Sequence, residues 1–275
     1  MIKNKFGIVQ GRLIQSPNGI LQWFPQEFWE HEFFVASSLG FNYIELIAER
    51  KYNENNPIWT AEGIDRILAL TQRNGLFLNV ICDDYVIDHS MIDDNDVFTQ
   101  VELIISQASL LGINKLVLPL FEKSELTENN FNDFKNVLHE LGNIAESKNI
   151  LVCLETLLDG KKLLRFIEYL DHPNIKCVFD TGNRAALGQD ICADIIMLRE
   201  YIQHVHIKDK NERNENVLLG TGLVNFQTAL KALYQINYSG DYTFETLRGN
   251  DPAATAKYHK MFLDFFLMEA RKIEN

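Results

Sequence analysis

Short apolar runs alternate with longer stretches of helical periodicity from one end of the chain to the other. The runs Lys5–Gln10, Asn42–Ile47, Leu76–Ile81, Lys115–Pro119, Ile150–Glu155, Ile175–Asp180, Gln203–Lys208 and Tyr242–Thr246 are mostly rich in Ile, Val, Leu or Phe. Gly, Asn or Asp bounds them, and this pattern predicts strands. Their apolarity is nearly continuous rather than strictly alternating, which predicts burial on both faces, as in a parallel sheet. Amphipathic spacing between them predicts helices over Glu27–Leu39, Ala61–Arg73, Val97–Leu110, Asn129–Ser147, Lys161–Leu170, Ile191–Tyr201, Phe226–Gln235 and Pro252–Lys272. Gly40 and Gly112 stand just past the last apolar turn of two of these segments, where helices stop. Asp251-Pro252 places an N-cap before a proline at the first helical position. Eight strands alternating with eight helices predict an α/β fold, a single-domain (β/α)8 TIM barrel over residues 1–275. An open doubly wound sheet would announce itself with a glycine-rich turn after the first strand, and Gln10-Gly11-Arg12-Leu13 is no such fingerprint.

Composition narrows the function classes. The 275 residues are 46% hydrophobic and 23% charged, an ordinary globular balance that excludes collagen-like and largely disordered chains. Lys+Arg of 26 against Asp+Glu of 38 leaves a net charge of −12, which repels a polyphosphate and argues against a nucleic-acid partner. A small anionic substrate held by a local basic cluster remains compatible with that charge. No apolar run is long enough to cross a bilayer, and the N-terminal stretch has no signal-like apolar core. Cys82, Cys153, Cys177 and Cys192 lack CxxC spacing and read as reduced thiols, which predicts a cytoplasmic protein.

Barrel enzymes build their sites at the C-terminal ends of strands. Four successive strands here offer Glu155, Asp180, His206 and Glu245 at one height. Three carboxylates converging on a barrel mouth repel one another unless a cation lies between them. Carboxylates with one imidazole suit a single divalent ion: Mn²⁺, Mg²⁺, Co²⁺ or Zn²⁺. One acidic residue at a strand end is ordinarily a cap or loop acceptor; four at successive ends predict a metal centre. His204 shares the inward face of His206 one layer deeper and is expected to be a hydrogen-bonded core histidine.

These strand ends resemble the xylose-isomerase-like TIM-barrel superfamily of sugar and sugar-phosphate isomerases and epimerases. Phe41-Asn42-Tyr43-Ile44-Glu45 and Gly220-Thr221-Gly222-Leu223-Val224-Asn225-Phe226 extend the resemblance over nearly the whole chain. It implies that Glu155, Asp180, His206 and Glu245 are metal ligands, and that Glu155 and Glu245 are also the catalytic acid/base pair. In Asp180-Thr181-Gly182-Asn183 the fourth position departs from the commoner histidine. Asn183 and the run His206-Ile207-Lys208-Asp209 are similar to L-ribulose-5-phosphate (L-xylulose-5-phosphate) 3-epimerases. Asn183 therefore reads either as a substrate contact or as a helix-start or turn residue.

Most of the remaining site residues have two readings. Lys208 binds a phosphate or substrate oxygen, or else pairs with a strand-end carboxylate. Arg12, Lys210 and Arg213 lie on loops at the mouth, where they hold a phosphate or stay solvated. Glu45 orders substrate or hydroxyl contacts, and Trp23 with Phe24 either caps the pocket or plugs the loop. The expected function is metal-dependent epimerisation or isomerisation of a ketose or ketose phosphate, with proton transfer through an enediolate. Dehydration of a keto-polyol on the same barrel and sugar binding without turnover are the alternatives. An abasic-site endonuclease is a poor fit, because such enzymes use a histidine-rich three-metal cluster whose ligands are not carried around Asn214 and Asn216, and because the charge is wrong for DNA. The expected partner is a small sugar, with no nucleic acid and no membrane; assembly of copies into a homo-oligomer stays open.

Overall fold

Residues with two apolar faces to bury form the strands, and each face meets a different partner. The structure, a computed structural model, describes residues 5–272. The outer ends of the 1–275 domain reading, residues 1–4 and 273–275, lie outside the described residues. The strands are β1 (Phe6–Val9), β2 (Tyr43–Ala48), β3 (Val80–Asp83), β4 (Lys115–Pro119), β5 (Leu151–Glu155), β6 (Ile175–Asp180), β7 (Ile202–Ile207) and β8 (Tyr242–Phe244). They pair in sequence order as a closed barrel. β8 returns to β1 in parallel, with Phe6 opposite Tyr242 and Ile8 opposite Phe244. Outward residues such as Ile44, Leu46, Leu118, Leu154 and Phe179 pack under the helices in one apolar shell. Inward residues such as Tyr43, Ile47, Val117, Cys153 and Val178 fill the barrel. The near-continuous apolarity of the strands follows from these two cores.

The helices are α1 (Trp29–Ser38), α2 (Ala61–Arg73), α3 (Tyr85–Asp88), α4 (Asn95–Leu110), α5 (Phe131–Ser147), α6 (Gly160–Leu170), α7 (Thr181–Ala186), α8 (Ile191–Leu198), α9 (Phe226–Gln235) and α10 (Pro252–Arg271). Side chains of Thr60, Asp159, Asn225 and Asp251 each accept a backbone N–H from the first turn of the helix that follows, as N-caps do. None of the described helices is long and apolar enough to cross a membrane.

Three details differ from the sequence expectation. β3 covers 80–83 rather than 76–81: Phe77 makes only an isolated bridge to Tyr43, and pairing continues through Cys82 and Asp83. Lys208 lies just past the end of β7 rather than within it. α3 and α7, which follow close on β3 and β6, lie outside the eight helices expected from the sequence.

One irregularity sets up the site. β6 pairs Cys177 with Ile202 but Val178 with His204, so Gln203 is an extra residue in β7. This bulge brings His206 level with Asp180.

Candidate active site

The inward parity of four strand ends places four ionisable side chains in one small volume. Glu155 closes β5, Asp180 closes β6, His206 lies in β7 and Glu245 follows β8. All four are buried, with 2–6% of each residue exposed. His206 Nδ1 lies 3.3 Å from Glu245 Oε2, 3.6 Å from Glu155 Oε2 and 4.0 Å from Asp180 Oδ2. One ligand atom from each of the four falls within 4.8 Å of the others. His206 Nδ1 is buried and makes no hydrogen bond, and the buried Asp180 Oδ2 is ion-paired with Lys208 Nζ at 3.0 Å. Three carboxylates and one imidazole with an unpartnered nitrogen form a mainly oxygen donor set, which fits one small divalent cation.

Each side chain is held from behind. His206 Nε2 donates to Glu45 Oε1 at 3.0 Å, which leaves Nδ1 for the carboxylates. The other oxygen of Glu45 bonds His204 Nε2 at 2.8 Å, and His204 also meets Thr243 Oγ1 at 3.0 Å. His204 is thus a hydrogen-bonded histidine one layer down. Asp180 Oδ1 caps α7 by accepting the N–H of Asn183 at 2.6 Å, which fixes where Oδ2 lies. The Asn183 amide donates to Glu155 Oε1 at 3.0 Å. Lys208 Nζ sits 2.6 Å from Glu245 Oε2 and 3.0 Å from Asp180 Oδ2. Gly182 makes room for it, since a Cβ there would lie 2.9 Å from Lys208 Cγ.

A family model described as xylose isomerase-like TIM barrel matches residues 33–264. The chain belongs to this family. Among curated relatives, L-ribulose-5-phosphate 3-epimerase UlaE of Escherichia coli is 23% identical over 244 residues, covering 83% of this chain and 86% of its own. An uncharacterized protein of Methanocaldococcus jannaschii is 27% identical over 165 residues, which span 55% of each chain. In the solved structure of an L-ribulose 3-epimerase the same fold recurs with a TM-score of 0.80 at 20% identity, over 99% of this chain and 97% of that one. A xylose isomerase-like TIM barrel protein from Mycobacterium smegmatis in complex with magnesium has a TM-score of 0.72 at 15% identity, over 96% of each chain.

Within this xylose isomerase-like barrel the two glutamates differ in surroundings. Burial, Asp180 and Glu245 raise the Glu155 carboxyl above its ordinary range against the pull of His206. Burial also opposes ionisation of Glu245, but Lys208, His206 and Arg12 hold it well below that range. For His206 burial is likewise outweighed, and Glu45, Glu155 and Glu245 favour the imidazolium. The two histidines in turn hold buried Glu45 ionised.

A cavity of about 410 Å³ covers the centre, walled in part by Glu45, Glu155, Asn183, His206, Lys208 and Glu245. Lys210 also lines it, with Nζ donating to Asn214 Oδ1 at 2.8 Å. Arg12 is no solvated loop cation. It is 1% exposed and donates to Thr246 O at 3.2 Å and Glu245 Oε1 at 3.3 Å. Arg213 is exposed and stands outside the cavity wall. Phe24 is buried against Trp29, and Trp23 lines a second, adjoining cavity.

Three residues escaped the sequence reading. Glu32 of α1 accepts the N–H groups of Gly11 and Leu13 at 2.8 and 3.1 Å and so pins the loop that carries Arg12. Asp84, directly after β3, lies on the cavity wall with its carboxyl pushed up to about 7 by burial and by Glu245. Asp209 accepts the N–H groups of Gly220, Gly222 and Val224, which ties down the glycine-containing segment after β7. The Asp83-Asp84 pair at a strand end was the available signal for Asp84.

Proposed function

We propose that this chain, with residues 1–275 as one catalytic domain, is a divalent-metal-dependent epimerase or isomerase of a ketose or ketose phosphate. The observation that supports it most is the pair Glu155 and Glu245, which flank the unpartnered Nδ1 of His206 from strands β5 and β8. The likeness to the ribulose-phosphate epimerase UlaE over most of both chains supports the same reading. Glu155, Asp180, His206 and Glu245 would hold the ion, which when bound polarises a substrate carbonyl and hydroxyl and stabilises the enediolate charge.

The protein's own groups move the proton. One glutamate removes it from the carbon beside the carbonyl, and the other returns one to the opposite face. Asn183 orients Glu155, while Lys208 and Arg12 orient Glu245. Lys208 and Lys210 remain within reach of a substrate oxygen or phosphate on the cavity wall. Four free cysteines fit a reducing cytoplasm.

Solvent-deuterium uptake into a panel of ketoses and ketose phosphates, with Mn²⁺-loaded protein, tests the reading. Exchange at the carbon beside the carbonyl together with an inverted or isomerised product is expected. Loss of water from the sugar would assign the dehydratase instead, and no exchange into any member would reject both.

A further inference from the structure

We propose that the cavity adjoining the catalytic centre binds an uncharged glycosyl group, so that the substrate is a ketose carrying a second sugar unit. This narrows, and rests on, the epimerase reading above. The site has two lobes. The inner one of about 410 Å³ covers the metal-ligand residues, and the outer one of about 740 Å³ shares Gln22, Arg50 and Asp84 with it as common wall. Cavities for whole small molecules run to roughly 300–1,000 Å³. The inner lobe alone has room for a ketose, and a free monosaccharide leaves the larger lobe unused.

The outer wall has sugar-binding chemistry. Tyr52 is 60% exposed yet braced by Trp59, with ring centroids 5.1 Å apart. Half-buried Trp23 lines the same lobe, with the buried Phe24 beneath it. Aromatic faces held at a wet surface suit the apolar C–H face of a pyranose, whose hydroxyls point to the rim. Charge argues against a phosphate in this lobe. Glu49, Glu54, Asp84 and Asp88 line it against Arg50 and Lys51. Arg50 is already clamped, by Asp88 Oδ2 at 3.0 Å and Glu122 Oε2 at 2.7 Å.

The junction between lobes offers a second, independent observation. Asp84 is 2% exposed, its Oδ1 accepts the Cys82 thiol at 3.4 Å, and its Oδ2 is buried without a partner. A buried acceptor in that state costs stability until a donor arrives, and a sugar hydroxyl lying across the junction is such a donor.

The test titrates Mn²⁺-loaded protein calorimetrically with D-fructose, D-fructose 6-phosphate, and the glycosyl ketoses isomaltulose and lactulose. At least one glycosyl ketose should bind ten-fold or more tightly than fructose, and the phosphate should not. Tyr52→Ala should erase that preference while leaving fructose binding unchanged, and Tyr52→Phe should retain it. Equal binding of fructose and both disaccharides, tightest binding of the phosphate, or no binding by either disaccharide overturns the proposal. Binding is read without turnover. Absent deuterium exchange in the same samples therefore counts against the epimerase reading alone.

Discussion

The bond from His206 Nε2 to Glu45 Oε1, at 3.0 Å, decides which nitrogen of the imidazole meets the three carboxylates. With Nε2–H engaged by Glu45, Nδ1 is the nitrogen left 3.3–4.0 Å from Glu245, Glu155 and Asp180, and a bound cation would take the place of its proton. Glu45 reaches across the barrel from β2 to β7 and holds His204 with its second oxygen. It therefore stands behind the four-residue cluster as a positioning residue rather than at its front.

Glu45→Gln should weaken metal binding about 10- to 100-fold, the usual cost of losing a carboxylate behind a ligating histidine. The amide keeps one acceptor but presents N–H to whichever histidine it faces with its nitrogen, so one imidazole must change tautomer. Calorimetric Mn²⁺ titration reads the effect. Affinity equal to wild type would mean that the ring is oriented by packing alone.

Replacing Glu155 or Glu245 by glutamine keeps the shape and one ligand oxygen but removes the proton acceptor. Each variant should still bind Mn²⁺, more weakly, and lose turnover by roughly a hundred-fold or more. Deuterium exchange separates them: the variant lacking the base on the substrate's reacting face should exchange nothing. The other should exchange without completing inversion. Near-normal turnover of both, with metal bound, would move the chemistry to another group.

Gly182→Ala probes the packing that aims Lys208. The new Cβ would lie 2.9 Å from Lys208 Cγ and 3.0 Å from the Lys208 carbonyl carbon. The side chain could swing away, but the backbone carbon could not. Overpacking of this kind costs about 1–3 kcal/mol. Denaturant unfolding should register that loss, and turnover should fall with it as Lys208 leaves Glu245.

Much of this arrangement was legible in the sequence, for a physical reason. Strands buried on both faces are apolar throughout, so a carboxylate or imidazole interrupting them at the C-terminal end stands out, as Glu155, Asp180, His206 and Glu245 do. Pairings between strands distant in sequence were not legible. Glu45 read as a group near substrate because nothing local reveals that His204 and His206 face it across the barrel. Arg12 read as a loop cation because its burial depends on Glu245, 233 residues away. β3 was misplaced because Asp83 and Asp84 look like a turn, although Asp83 pairs within the sheet and both carboxyls are buried.

Acid stability depends on a histidine far from the candidate site. His259 of α10 is fully buried and neither ring nitrogen has a hydrogen-bond partner. Burial alone pushes its pKa down to about 4 from 6.5. The unfolded chain therefore binds a proton at this position near pH 6.5, and the folded chain only near pH 4. Between those values the unfolded state holds more protons, so stability rises with pH through the window and the gain is complete above it. A shift from 6.5 to about 4 corresponds to about 3 kcal/mol over the whole window. Glu32 and Asp84, both raised to about 7 chiefly by burial, act with the opposite sign, because there the folded state holds the extra proton. They are present in wild type and variant alike, so the difference between the two isolates His259. His259→Leu should be more stable than wild type at pH 4.5 by about 2 kcal/mol or more from the lost proton uptake. At pH 7.5 only the removal of two unsatisfied nitrogens remains, worth about 1 kcal/mol. Urea unfolding of both proteins at pH 4.5, 5.5 and 7.5 measures the difference. Parallel stability curves across that range would show that His259 is not the group that titrates.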